Sequence, residues 1–250
     1  MNRLWCFGDS FTAGHGLNFD EFNREGCLNY EGSFYNFDDN SSIWHRDPYF
    51  QKYKDYKHSY KDKIFAKLFS NYLNYELINE GESGCSNDRI IHQVIKNINS
   101  FKSDDIIIIG LTSYLRVIVP SKFGMGGAGA TNVDEDVHKC YVKHGPRSSE
   151  KLVEKVTEYI YDVLMPNEDI LEEYYLNLFK SVRELILPKV KRVILWDHHH
   201  WHRFENIHDW KRIGDRHWSP KGHEQFNNFL IENYEKNNDI LIQNKYRSLI

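Results

Sequence analysis

At 250 residues the chain lies near the upper size for a single hydrophobic core, which excludes small stapled scaffolds and predicts one domain spanning 1–250. A composition of 40% hydrophobic, 15% aromatic and 27% charged residues excludes disorder of the whole chain. Lys plus Arg number 32 against 36 Asp plus Glu, a net charge of −4, so no global attraction to nucleic acid or anionic lipid is expected.

The longest purely aliphatic stretch, Ile106 to Ile109, is far short of the roughly 20 apolar residues of a membrane span. Met1 to Phe7 passes straight into a candidate strand without the pattern of a secretory leader, so the expected compartment is the cytoplasm and no membrane partner is expected. Cys6, Cys27, Cys85 and Cys140 are scattered with no C-x-x-C pair and read as free thiols.

Taken in chain order, Leu4 to Phe7 is the first apolar run with the look of a buried parallel strand. Gly16 to Lys57, rich in Asn, Asp and aromatics, interrupts the alternation as an insertion. Ile64, Phe65, Leu68, Phe69, Tyr72 and Leu73 then repeat at helical spacing, followed by a second strand, Tyr75 to Ile78. Asn87-Asp88 can cap a helix that puts Ile90, Ile91, Val94, Ile95 and Ile98 on one face. Ile106 to Gly110 is the third strand, and Lys122 to Arg147, with its Gly-rich run Gly124 to Ala130, reads as a second insertion, a flexible loop or lid.

Helices are predicted over Ser149 to Leu164 and over Glu168 to Leu187, the latter ended by Pro188. Val193 to Trp196 is a fourth strand, and Pro220 opens a last helix reaching about Tyr234. Strands alternating with amphipathic helices predict an α/β fold, a three-layer α/β/α sandwich around a mostly parallel sheet.

The chemistry concentrates at strand ends. Phe7-Gly8-Asp9-Ser10-Phe11-Thr12 puts a hydroxyl at the carboxyl edge of the sheet, where open α/β folds bind ligands. A serine starting a helix there has backbone N–H groups and the positive end of a dipole beside it, both favourable to developing negative charge. The competing reading makes Ser10 an N-cap and nothing more. Near the far end, Gly214-Asp215-Arg216-His217-Trp218-Ser219-Pro220 sets an acid two residues before a histidine. A carboxylate there can hold the imidazole Nδ1–H and leave Nε2 to take a proton from a serine. The alternative for His217, one of 13 histidines, is a surface or packing role.

These residues together resemble the SGNH, or GDSL, hydrolase family. Phe7-Gly8-Asp9-Ser10 is similar to its first block, which implies Ser10 as nucleophile. Asn79-Glu-Gly-Glu-Ser-Gly84-Cys-Ser86 is similar to the second, which implies that Gly84 gives a backbone N–H to an oxyanion hole. Asp215-x-His217-Trp-Ser-Pro-x-Gly222-His223 is similar to the last, which implies His217 as base and Asp215 as its orienter. The resemblance spans nearly the whole chain, with the blocks in order, and implies a flavodoxin-like SGNH fold.

There are two departures from the family pattern. The third block normally reads Gly-x-Asn-Asp, its asparagine serving the oxyanion hole, whereas this chain has Gly110-Leu111-Thr112-Ser113, so the resemblance implies that the hydroxyl of Thr112, or failing it Ser113, is left to complete the oxyanion hole in place of the carboxamide. The acid and histidine are one residue closer than usual, a spacing similar to that in some SGNH-like polysaccharide acetyltransferases.

Other clusters read more simply. Trp196-Asp-His-His-His-Trp-His202 ends the fourth strand, but adjacent residues of a strand point to opposite faces, so no metal site is expected and Trp201 and His202 are assigned to an active-site rim. Ser83 fails the G-x-S-x-G pattern because Cys85 stands where the last glycine belongs, and it reads as a turn residue. The Gly-rich run lacks the G-K-[ST] ending of a phosphate loop. Lys52 to Lys67 interleaves lysine and tyrosine but reads as a solvated face. The aromatic segment Phe19 to Phe50 either binds carbohydrate or covers a sheet edge.

The expectation is a serine esterase acting on a small-molecule or carbohydrate ester, O-acetyl groups included, through an acyl-serine and without a cofactor. The alternatives are an O-acyltransferase acting on a glycan and a binding protein on a decayed hydrolase scaffold.

Overall fold

The computed structural model describes residues 2–14, 61–82, 85–114, 116–121, 124–130, 140–143, 159, 162–163, 165–198, 200, 203–204 and 218–242. The insertion expected at 16–57, most of the helix expected over 149–164, and the expected site residues Gly84, Asp215 and His217 lie outside them, as do Ser83, Trp201, His202 and Cys27.

Among the described residues the strands are β1 (Arg3–Phe7), β2 (Glu76–Asn79), β3 (Ile106–Gly110), β4 (Arg116–Ser121), β5 (Gly124–Ala130), β6 (Cys140–Lys143), β7 (Arg192–Trp196) and β8 (Ile240–Leu241). The α-helices are α1 (Ser10–Ala13), α2 (Phe65–Leu73), α3 (Asn87–Asn97), α4 (Glu168–Ile186) and α5 (Pro220–Glu235). Five strands form one sheet in the order β2-β1-β3-β7-β8, every pair parallel. The fold is α/β.

Alternation along the strands builds two cores. Leu4, Cys6, Ile106, Ile108, Ile194 and Trp196 face α2 and α5, where they meet Phe65, Phe69, Phe226 and Leu230. Trp5, Phe7, Ile107, Ile109, Val193 and Leu195 face the other way, onto Ile90 and Val94 of α3 and Phe179, Val182 and Ile186 of α4. A sheet covered on both sides needs apolar residues at every position, which is why β3 reads Ile-Ile-Ile-Ile-Gly and is buried throughout. The result is the expected three-layer α/β/α arrangement. β2 departs from expectation: as an edge strand its side chains are only partly buried.

The Gly-rich run is not a loop. Gly124–Ala130 is the central strand of a second, antiparallel sheet in the order β4-β5-β6, with Val119 opposite Gly126 and Tyr141 opposite Gly129. Gly and Ala carry no apolar alternation, so β5 has no side-chain signature, and its extended state is fixed by main-chain pairing on both edges. β8, two residues long, is likewise too short to show a period.

The helix ends follow elementary capping rules, with one change. Pro220 lies in the first turn of α5, and Ser219 caps it by accepting from the Gly222 N–H at 3.1 Å. At α3 the cap is Ser86, whose hydroxyl accepts from the Arg89 N–H, so Asn87 is released for another task. A 3-10 turn, Leu187–Lys189, carries Pro188 in its first positions after α4. None of the described helices is long and apolar enough to cross a membrane.

Candidate active site

The parallel strands taken in chain order lie 2-1-3-4-5 across the sheet, so the winding reverses between β1 and β3. In open α/β sheets the crevice for ligands opens at the carboxyl ends of the strands flanking that reversal. The residues there are Gly8-Asp9-Ser10 after β1 and Leu111-Thr112-Ser113 after β3.

Turning out of β1 into α1 depends on the absence of a side chain at Gly8, where a Cβ would lie 2.1 Å from Thr12 Oγ1. Asp9 is the N-cap, accepting from the Phe11 N–H at 3.1 Å, and Ser10 is the first residue of the four-residue α1, which ends at Gly14 in the left-handed region at φ 69°. Ser10 is buried to 3% exposure. An N-cap role alone does not describe it, because the cap is Asp9.

Asp9 is the centre of a buried network. Its Oδ2 accepts from Thr112 Oγ1 at 2.9 Å and from Arg116 Nη1 at 2.9 Å, while Oδ1 caps α1. Both charged side chains are almost wholly out of water, 2% exposed for Asp9 and 3% for Arg116. Burial of a carboxylate is tolerated when it is paired and hydrogen-bonded, which these three donors achieve. Thr112 is itself pinned: Asn87 Nδ2 donates to its carbonyl and Asn87 Oδ1 accepts from its N–H, each at 3.0 Å. The single hydroxyl proton of Thr112 is therefore directed at Asp9.

The loop after β2 is laced to the end of β1. Glu80 N–H donates to Cys6 O at 2.8 Å and Glu82 N–H to Gly8 O at 2.9 Å, continuing the ladder past the strand. Asn79 Nδ2 donates to Thr12 O at 2.8 Å while its Oδ1 accepts from the Gly81 N–H at 3.0 Å. Gly81 is needed for this approach, since a Cβ there would lie 2.7 Å from Ala13 N. On the far side of the undescribed Ser83 and Gly84, Cys85 N–H donates to Glu82 O at 3.1 Å, and burial pushes the Cys85 thiol up to about 12. That thiol is inert at neutral pH.

Asp215 and His217 lie outside the described residues, but the next residue does not. Trp218, fully buried, meets Phe11 edge to face with ring centroids 4.9 Å apart and packs on Phe226 at 4.7 Å. The residue after Ser10 thus touches the residue after His217.

His223, His200 and His198 serve the core, whereas His92 on α3 is exposed. His223 is fully buried and its Nδ1 accepts from the Phe65 N–H at 3.3 Å, which fixes that nitrogen as unprotonated. His200, also buried, places Nε2 2.8 Å from Leu241 O and so donates to it, tying β8 down. His198 packs edge to face on Tyr114. Among the described residues no three His, Cys, Asp or Glu side chains gather as a metal site would require.

Two residues in this region have parts that the sequence expectations do not assign to them. Arg116 carries only a faint signal, a lone charge at the head of the run Val117-Ile-Val. Asn87 was masked by its plausibility as a cap beside Ser86.

Comparison with protein-family models gives no match, and comparison with curated proteins gives none. Among solved structures, the chain is similar to a member of the lipolytic protein G-D-S-L family from Veillonella parvula DSM 2008, at 14% identity and a TM-score of 0.35, over 97% of this chain and 76% of that one. A second structure assigned to the same family, from Desulfitobacterium hafniense DCB-2, has 10% identity and a TM-score of 0.31, over 96% and 75% of the two chains. Likeness at this level assigns neither family nor activity.

Proposed function

We propose that this protein is a serine hydrolase of SGNH type that cleaves carboxylic esters, O-acetyl groups on carbohydrate among them. The observation that carries the reading is the position of Ser10: first in α1, at the carboxyl end of β1 beside the winding reversal, with its neighbour Phe11 against Trp218. That contact supports bringing the Gly8-Asp9-Ser10 turn and the Asp215-to-His217 segment to one place.

In this mechanism Ser10 Oγ attacks the ester carbonyl and its proton passes to His217 Nε2, while Asp215 holds the imidazole Nδ1–H. The oxyanion is bound by the backbone N–H groups of Ser10 and Gly84. Collapse breaks the bond to the alcohol oxygen, which takes the proton from His217 and leaves an acyl-serine. Water then attacks that acyl group, giving its proton to His217, and Ser10 departs with the proton returned. Thr112 acts through Asp9, because its hydroxyl proton is directed there.

The test is labelling of the full chain by a fluorophosphonate probe together with hydrolysis of short-chain aryl esters. Parent protein should be labelled and Ser10→Ala should lose both activities while remaining folded. Equal turnover by the two would overturn the assignment. Product that appears only with an added sugar acceptor would move the reading to acyl transfer, and a folded parent that neither labels nor hydrolyses would move it to a binding protein.

A further inference from the structure

We propose that Arg116 is a positioning residue for the nucleophile, coupling the antiparallel β4–β6 sheet to Ser10 through the carboxylate of Asp9. The inference rests on the reading of Ser10 as nucleophile and adds a control over it that arises outside the parallel sheet.

Arg116 is the first residue of β4, and β4 is paired along its length with β5, which pairs in turn with β6. Its Nη1 lies 2.9 Å from the Asp9 oxygen that also accepts from Thr112. The second Asp9 oxygen caps α1 at Phe11 N–H, so the plane of this one carboxylate links the start of β4, the end of β3 and the turn that presents Ser10. A carboxylate fixed by donors on both oxygens cannot rotate without breaking a bond. Asp9 is covalently adjacent to Ser10, so a turn of its side chain or a shift of its backbone re-aims the hydroxyl, and displacements of about 1 Å at a reacting group can cost about a hundredfold in rate.

The chemistry of the pair favours positioning over simple cohesion. An ion pair this deeply buried gives up the hydration of both charges, and an apolar pair of similar volume commonly stabilises a fold as well or better. What the guanidinium supplies and an apolar side chain does not is direction, since Nη1 of its planar fork is set on Asp9 Oδ2 while Oδ1 is held by the Phe11 N–H. Arg116 is separated from Asp9 by 107 residues, and the strand it opens belongs to a sheet that makes no pairing with β1, β2, β3, β7 or β8 among the described residues. Arg116 N–H also donates to Ser113 O at 3.2 Å, so the start of β4 meets the site through both its main chain and its guanidinium, and the guanidinium is the part that reaches the Asp9 carboxylate.

The experiment compares the second-order rate of fluorophosphonate labelling in the parent chain, Arg116→Lys, Arg116→Met and the neutral pair Asp9→Asn with Arg116→Met, each checked for folding by circular dichroism. We expect Arg116→Met to label at least tenfold more slowly, with kcat on an aryl ester falling by a similar factor and KM changing less than twofold. Arg116→Lys, which keeps the charge but loses the fork, should recover part of that rate. Should Arg116→Met not fold, the neutral pair decides, since it leaves no uncompensated charge: labelling at least tenfold below the parent supports the proposal. Labelling within twofold of the parent in any folded variant lacking the guanidinium overturns it. A parent chain that does not label at all fails the nucleophile reading itself, a result separate from any effect of Arg116.

Discussion

The carboxamide of Asn87 closes on the main chain of Thr112 from both sides, donating to its carbonyl and accepting from its N–H at 3.0 Å each. Both residues are fully buried. Removing the carboxamide strands a donor and an acceptor, each costing about 1–3 kcal/mol when buried unpaired. Asn87→Ala should therefore lose about 2–4 kcal/mol in urea unfolding with an unchanged slope. Asn87→Asp keeps the acceptor but sets an oxygen against the Thr112 carbonyl, and should be no better. A loss under about 1 kcal/mol in both would show that the clamp is dispensable.

Gly8 and Thr12 form a second local dependence, since a Cβ at Gly8 would lie 2.1 Å from Thr12 Oγ1. That hydroxyl oxygen is buried and has no hydrogen-bond partner among the described residues. Overpacking typically costs about 1–3 kcal/mol. Gly8→Ala should be destabilising by that amount, and adding Thr12→Ala should recover about 1 kcal/mol or more, because it removes the obstructing atom without breaking a bond. Strict additivity of the two changes would contradict the predicted clash.

At the opposite end of the sheet, Asp105 accepts from Arg3 Nε at 3.0 Å, from Trp5 Nε1 at 3.1 Å and from the Lys102 N–H at 2.9 Å. Burial alone would raise its pKa, but the hydrogen bonds from Arg3, Lys102 and Trp5 and the charge of Arg3 outweigh that, leaving it below the ordinary 3.8. A carboxylate depressed in the folded state contributes stability that is complete above the ordinary value and is lost as pH falls through the lower, folded one. Asp105→Asn should flatten the acid limb of the stability profile below about pH 4. An unchanged acid limb would mean that Asp105 is not among the groups that set it.

The histidines separate by role in a way activity and stability can read independently. His200 and His223 are buried and bonded to Leu241 and Phe65, so replacing either by Ala should cost about 2–4 kcal/mol while labelling of the folded fraction persists. His217→Ala should instead abolish labelling and, on the proposed mechanism, cost at least as much rate as Asp215→Asn, because there the base moves the proton and the acid orients it. Loss of labelling in folded His223→Ala but not in His217→Ala would place the base elsewhere.

How much of this was legible in the residues depends on the range of each interaction. Apolar runs marked β1, β2, β3 and β7 to within one residue at each end; for β1, β3 and β7 this follows from cover on both faces, while β2 is less buried than its run implied. The motif around Ser10 predicted a place at the carboxyl edge of the sheet, and Ser10 does follow the carboxyl end of β1; the winding reversal beside it was not read from the residues. The ion pair between Asp9 and Arg116 was not legible, because two side chains 107 residues apart leave no local period or spacing. β5 was misread as a loop because its pairing uses main-chain groups that every sequence possesses. The cap of α3 was misassigned because Ser86 and Asn87 are both competent caps, and only the Thr112 main chain decides between them.

The choice between a direct and an indirect role for Thr112 can be made by coupling. Thr112 Oγ1 is 2.9 Å from Asp9 Oδ2, an ionised acceptor with no proton of its own to give, so the hydroxyl is the donor and its proton is spent there. Thr112→Val keeps the shape and removes that bond, which at a charged group is worth about 1.5–3 kcal/mol of stability. We expect kcat to fall roughly tenfold with KM nearly constant, within the range of groups that act on the transition state. Thr112→Ser, which keeps the donor, should stay within a few-fold of the parent. If Thr112 works through Asp9, combining Thr112→Val with Asp9→Asn should cost little more than Asp9→Asn alone, since both changes break one network. If the threonine hydroxyl instead met the oxyanion directly, the two losses would multiply. Multiplicative losses in a folded double variant would return Thr112 to the oxyanion hole.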